Sequence, residues 1–181
     1  MTVIVACEHP RGVVLGCDSY LGSLGTRVVL DRPKWFSNGP CVLAFAGSIR
    51  GAQVAEHWLR PFRKPKRGES DESYLVTNVS AAIRSAHEQV GGEPEKLVEK
   101  NGSLFLIAFR GRAWIMQDDY SVARCAAGYA AMGAGEDFAL GALAATDGME
   151  AEERVRRALS ASARHSSLVS EPFHVMDVPA R

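Results

Sequence analysis

The chain has 181 residues, 46% of them hydrophobic, and its 21 basic and 21 acidic side chains give a formal net charge of zero. That length is enough for one domain to bury a sizeable core without staples, and the balanced charge excludes a global field that recruits nucleic acid or a membrane surface. No apolar run approaches the roughly 18 residues of a transmembrane helix, and nothing resembling a leader precedes the first apolar run, so the expectation is one cytoplasmic domain over residues 1–181.

The cysteines Cys7, Cys17, Cys41 and Cys125 form no C-x-x-C pair, and three stand in apolar, strand-like contexts. Buried thiols in a reducing compartment are expected rather than disulfides or a metal site. The five histidines show no ligand spacing, so no metal is assigned.

Taken in chain order, "TVIVAC" (Thr2 to Cys7) and "GVVLGCDS" (Gly12 to Ser19) flank the turn "EHPRG" and predict a hairpin. A glycine-rich loop, "LGSLG", follows, then strand-like "TRVVL", "PKWFSNG" and "CVLAFAG". Near-continuous Val, Leu and Ile in these runs predicts strands covered on both faces. After Gly47 the period changes. Ile49, Ala52, Val54, Ala55, Trp58, Leu59 and Phe62 recur at helical spacing behind Ser48, a candidate N-cap.

The basic run "RPFRKPKRG" is followed at once by "ESDES", so the charges offset and a solvated loop is expected. A second helix is predicted over Tyr74–Val90, then strands "SLFLIAFR" and "AWIMQ" joined by the turn "GR". "YAAMGAG" reads as a strand entering a glycine-rich turn. Helices over Glu136–Thr146 and Ala151–His165 follow, and "EPFHVMDV" closes as a strand. Strands, a helix pair, strands, a helix pair and a final strand predict an α+β protein: a four-layer αββα sandwich, two antiparallel sheets between two helical layers.

Neither a G-x-S-x-G elbow nor a Cys–His signature is present. "GAGEDF" lacks the third glycine and the βαβ unit of a dinucleotide loop, so phosphate binding is the minor reading there. Thr2 stands apart. Its small side chain permits removal of Met1, which leaves a free amine on the residue that carries the hydroxyl. Such an amine has a reference pKa of about 7.7–8.0 and can take the hydroxyl proton, so nucleophile and base share one residue.

Three downstream residues fit that chemistry. Asp18 ends the second strand in "GCDS". Lys34 sits in "DRPKWF", where an unpaired ammonium is costly, so the two pair naturally and the lysine charge favours a neutral amine. Gly47, at a strand-to-helix junction in "FAGS", offers a bare backbone N–H to an oxyanion. Singly these are a turn aspartate, a snorkelling lysine and a helix-start glycine. In this order they point to one site.

With those residues in place, the sequence resembles the proteasome β-subunit family, including HslV-type peptidases, among the N-terminal nucleophile hydrolases. The resemblance runs nearly the whole chain in order. Thr2 matches the catalytic threonine, Asp18 the first acidic residue and Lys34 the essential lysine, each displaced by the one residue that Met1 adds. "FAGSIRGAQ" resembles the segment that supplies the oxyanion donor, Gly47. "AAMGAGEDFALGAL" is similar to the glycine-serine-glycine stretch, and "EPFHVMDV" to the last strand.

The resemblance implies a threonine-type endopeptidase with a substrate pocket of Leu21, Arg32, Phe45 and Ile49, apolar but with an acidic preference from Arg32. It also implies stacked homo-oligomeric rings, unfolded polypeptide substrates and an AAA+ unfoldase. No cofactor is implied, ATP acting only through that partner, and a bound ion is left open. Two departures stand out. Ala134 occupies the place of a serine that bonds the terminal amine. In "RHSSLVSEPF", His165 or Ser166 falls at an expected aspartate, and Leu168 or Val169 at an expected serine, with Ser167 and Ser170 nearby as substitutes. These departures support two other readings: a ring subunit with weakened catalysis, and an amidase of the same superfamily acting on a small amide.

Overall fold

The computed structural model describes residues 2–23, 26–90 and 103–180; Met1 lies outside them. The first hairpin forms as β1 (Val3–His9) and β2 (Gly12–Cys17), paired antiparallel from Ile4↔Cys17 to His9↔Gly12. β1 also pairs with β10 (Tyr129–Gly133), and β2 with the closing strand β11 (His174–Pro179), which gives a sheet ordered β10-β1-β2-β11. The second sheet runs β5 (Trp35–Asn38), β6 (Cys41–Gly47), β7 (Ser103–Phe109), β8 (Arg112–Met116) and β9 (Val122–Arg124), all antiparallel.

Among the described residues the helices are α1 (Ile49–His57), α2, α3 (Glu136–Ala145) and α4 (Ala151–His165). Helix α2 runs Asp71–Tyr74, widens to a π-helical stretch over Leu75–Ser80 and continues as Ala81–Val90.

Strand alternation separates three cores. Val3, Val5 and Cys7 pack with Ala139 and Leu143 of α3 and Val155 and Leu159 of α4. Leu43, Phe45, Phe105 and Ile107 pack with Ala52 and Ala55 of α1 and Leu75 and Ile83 of α2. Between the sheets lie the alternate residues of the same strands, Ile4, Ala6, Ala44, Ala46, Leu106 and Ala108. Helix, sheet, sheet, helix is the expected αββα sandwich, and many alanines let its two sheets meet closely.

Several boundaries differ from expectation, each for a local reason. The expected loop "LGSLG" contains a strand, β3 (Tyr20–Ser23), which pairs with β4 (Thr26–Val29) as a separate ribbon. Gly22 belongs there because the Tyr20 ring folds over it; a Cβ at Gly22 would lie 2.1 Å from the Tyr20 hydroxyl. Helix α1 stops at His57 rather than Phe62, since Pro61 disfavours helical Arg60 and Asn38 captures the Phe62 N–H at 2.7 Å. Helix α2 starts three residues early because Ser70 accepts from Ser73 N (3.2 Å) ahead of Asp71 and Glu72. β9 has no counterpart in the sequence reading.

The thiols of Cys7, Cys17, Cys41 and Cys125 are free, and burial pushes Cys17 and Cys41 up to about 12. Among the described residues no helix is long and apolar enough to cross a membrane. At one end of the sandwich the start of β1, the exits of β2, β6 and β10 and the entry to β5 all meet. Thr2, Asp18, Lys34 and Gly47 lie there.

Candidate active site

Thr2 immediately precedes β1 and is 4% exposed. Asp18 follows the last residue of β2, its backbone N–H still reaching Val3 O at 3.3 Å, so its carboxylate turns under the first strand. Oδ1 accepts from Val3 N (3.1 Å) and Lys34 Nζ (2.6 Å); Oδ2 accepts from Tyr20 N (3.0 Å) and Ser170 N (3.3 Å). Lys34, at the entry to β5, donates from Nζ to Asp18 Oδ1, to Tyr20 O (2.8 Å) and to Thr2 Oγ1. Three ammonium protons meet three acceptors, and every side-chain oxygen of Asp18 is used.

Burial pulls the Lys34 ammonium below its ordinary range, while the charge and hydrogen bond of Asp18 oppose that shift. With both side chains at 3% exposure or less, the pair is a buried ion pair with complete hydrogen bonding. Removing one partner of such a pair typically destabilises by about 3–5 kcal/mol.

A cleft of about 310 Å³ opens above this pair, lined by Thr2, Tyr20, Leu21, Gly22, Lys34, Phe45, Ala46, Gly47 and Ile49. Phe45 N donates to Lys34 O at 2.9 Å, on the β5 side of β6. Strand alternation turns the N–H of Gly47, two residues on, to the same side, past the end of β5 where the cleft lies. Of the residues expected to form a substrate pocket, Leu21, Phe45 and Ile49 line the cleft. Arg32 does not. Its guanidinium is tied to Glu56 of α1 at 2.5 Å, and its side chain is 45% exposed.

The other flank of Thr2 is sparser. Gly133, paired with Val3, has φ +102°, and a Cβ there would stand 2.4 Å from Thr2 O, so glycine is required on both counts. Ala134 is exposed beside it. His165 lies at the end of α4 with its ring against Phe138, and Ser166 Oγ accepts from Leu168 N (3.3 Å). Among the described residues no hydrogen bond joins His165, Ser166 or Ser167 to Thr2. Ser170 is the member of that segment at the site. It is 6% exposed, its N–H holds Asp18, its carbonyl accepts from Ser19 N (3.1 Å), and its buried Oγ has no partner.

Sequence reasoning missed the carbonyl of Tyr20 and the N–H of Ser170, because backbone groups leave no residue-type signal. No group of three or more His, Cys, Asp or Glu side chains gathers as a metal-ligating set among the described residues. Chemically, the arrangement presents a hydroxyl oxygen whose lone pair is occupied by a lysine and whose own proton is free to leave. A backbone donor stands across the cleft.

No protein-family model matches the sequence, and no curated protein does. The fold is nonetheless shared along nearly its whole length with solved proteasome-homologue and HslV structures. BPH of Thiobacillus denitrificans, solved in complex with epoxomicin, matches with a TM-score of 0.80 at 15% identity over 99% of each chain. Eukaryotic HslV from Trypanosoma brucei matches at 0.70 and 20% identity over 96% of this chain and 97% of its own. A Gly-1 mutant of Anbu from Hyphomicrobium sp. strain MC1 matches at 0.71 and 15% identity over 99% of this chain and 82% of its own.

Proposed function

We propose that this chain is a threonine-type endopeptidase subunit whose nucleophile is Thr2 Oγ after removal of Met1. One observation carries the reading: Thr2 Oγ1, Lys34 and Asp18 form a continuous buried hydrogen-bonded set at the base of a cleft that Gly47 also lines. Thr2 Oγ attacks the peptide carbonyl carbon and its proton passes to the Thr2 amine. The carbonyl oxygen becomes an oxyanion facing the Gly47 N–H. When the C–N bond breaks, the leaving amine takes the proton from the Thr2 ammonium, and an ester remains on Thr2. The amine then takes a proton from water, hydroxide adds to the ester carbonyl, and Oγ is reprotonated as the acid product leaves.

Lys34 stabilises developing charge on Oγ, Asp18 orients Lys34, and Ser170 Oγ serves the amine in place of the side chains missing at Ala134, His165 and Ser166. An extended peptide lies along the edge of β3 that β4 leaves free. Leu21, Phe45 and Ile49 select an apolar side chain, and with Arg32 drawn off to Glu56 the cleft has no acidic preference. No cofactor enters these steps.

The family resemblance further supports assembly into stacked homo-oligomeric rings in the cytoplasm, fed with unfolded polypeptide by an AAA+ unfoldase. The sparse amine flank favours one second reading, a ring subunit of reduced activity. Turnover of a fluorogenic peptide by protein lacking Met1 separates the two, and sizing in solution separates both from a small-amide amidase that has no need of rings. Thr2→Ala is expected to lower turnover more than about 10³-fold, as loss of a nucleophile does. Unchanged turnover in that variant refutes the assignment. Epoxomicin, bound in the Thiobacillus BPH structure, is a direct ligand probe of the cleft.

A further inference from the structure

The junction from Gly47 to Gly51 carries two residues that line the cleft, Gly47 and Ile49, and begins and ends on glycine. Gly47 has φ +81°. Such a backbone is permissive, so its position must be imposed by side-chain hydrogen bonds. Three packed side chains do this. Ser48 Oγ accepts from Gly51 N at 3.1 Å. Ser103 Oγ, on the residue paired with Gly47, donates to Ser48 O at 3.2 Å. The third is His87 of α2, whose Nε2 lies 2.9 Å from Gly51 O. The absence of a side chain at Gly51 is what admits them, since a Cβ there would stand 2.0 Å from Ser103 Oγ.

His87 is 8% exposed and plays no part in the chemistry described above. Its hydrogen bonds fix its tautomer. The Gly51 carbonyl only accepts, so Nε2 carries a proton; in the neutral ring Nδ1 then accepts from the Tyr120 hydroxyl, 3.0 Å away. Tyr120 is itself held at φ +67°, with its carbonyl accepting from Ser80 Oγ at 2.6 Å and its N–H donating to Gln117 O at 3.0 Å. A polar chain thus runs from the β8–β9 turn through Tyr120 and His87 into the first turn of α1.

We propose that His87 is a positioning residue, held by Tyr120, that fixes the Gly47–Gly51 junction and thereby aims the Gly47 N–H at the oxyanion. The inference rests on the peptidase reading above. An oxyanion donor acts only when held within about 0.5 Å of its productive place. Misaiming it affects the transition state more than substrate binding, since Leu21 and Phe45 lie outside the junction and stay in place while Ile49 is the one pocket residue carried with it.

His87→Ala, His87→Gln and Tyr120→Phe are compared in protein lacking Met1, with activity normalised to folded protein. Gln keeps a donor close to the position of Nε2. The expectation is a fall in kcat of about tenfold or more in His87→Ala with KM within about twofold, recovery in His87→Gln to within a few-fold, and an intermediate loss in Tyr120→Phe. Hydrogen exchange is read alongside: Gly51 and Ala52 amides exchange faster in His87→Ala but not in His87→Gln, while β1 and β2 amides are unchanged. Wild-type kcat in His87→Ala, a loss carried by KM, or equal losses in Ala and Gln overturn the proposal. If His87→Ala does not fold, Gln activity well below wild type or wild-type kcat in Tyr120→Phe overturns it. If wild-type protein with a free Thr2 turns over no peptide, the peptidase reading fails; exchange then decides the positioning claim, unchanged junction amides in His87→Ala overturning it.

Discussion

The two flanks of Thr2 differ sharply. On the hydroxyl side, Asp18 and Lys34 are buried with every polar atom satisfied, and four chain segments are tied to one carboxylate. On the amine side, Ala134 offers no polar side-chain atom, the His165 ring packs against Phe138, Ser166 Oγ accepts from Leu168 N, and Ser170 Oγ stands buried without a partner. The hydroxyl side is therefore part of the stability of the fold. The amine side is tied to it through the backbone of Ser170 and Gly133, so Ser170 Oγ and the side chain at position 134 can affect rate without breaking the buried pair.

Breaking the hydroxyl side should have the largest effect. Asp18→Ala strands the Lys34 charge and three N–H groups, and a loss of about 3–5 kcal/mol is expected in urea unfolding. Ser170→Ala breaks the amine side and should behave in the opposite way. Its buried hydroxyl has no hydrogen-bond partner, so removing it relieves a desolvation cost and unfolding free energy should hold or rise, while kcat falls several-fold at unchanged KM. A large loss of stability in Ser170→Ala would erase the contrast between the flanks. Ala134→Ser sharpens it from the other direction, since a hydroxyl restored beside Gly133 should raise kcat a few-fold and leave the melting temperature unmoved.

The smallest effect concerns a second tethered carboxylate, remote from Thr2. Glu8 bonds Ala113 N (2.9 Å), Arg112 (3.0 Å) and Arg124 (3.1 Å), with its side chain 8% exposed. Burial pushes its carboxyl up, but the Ala113 N–H and the two arginines outweigh that and hold it below the usual range. A carboxylate with a lowered folded pKa adds stability above its unfolded pKa, about 4.3, and loses it as pH falls through the folded value. Wild type should therefore exceed Glu8→Gln in stability at neutral pH by about 1 kcal/mol or less, because both arginines are largely exposed. The difference should close on acidification below pH 4. A gap that widens there would contradict the sign.

Much of this was legible in the sequence because it rests on side-chain type. Alternating apolar runs disclosed the strands, Ser48 marked the start of α1, and a lysine among aromatics announced a buried pair with Asp18. What was hidden depends on backbone or on distant partners. "LGSLG" reads as a loop because its glycine exists to seat Tyr20, which only the folded ribbon reveals. Arg32 stands near the site in sequence, but Glu56, 24 residues on, takes it out of the cleft. The π-helical turn at Leu75–Ser80 has no residue signature. Ser170 and His87 each looked ordinary: one of several serines in "RHSSLVSEP", and a lone histidine on an amphipathic helix.

The central claim is that Thr2 becomes a nucleophile only with a free amine. The direct measurement is peptide turnover by two preparations of verified intact mass, one beginning at Thr2 and one retaining Met1. Turnover in the first and none in the second is the predicted result. Equal turnover in both, or none from a folded and assembled preparation that begins at Thr2, would contradict it.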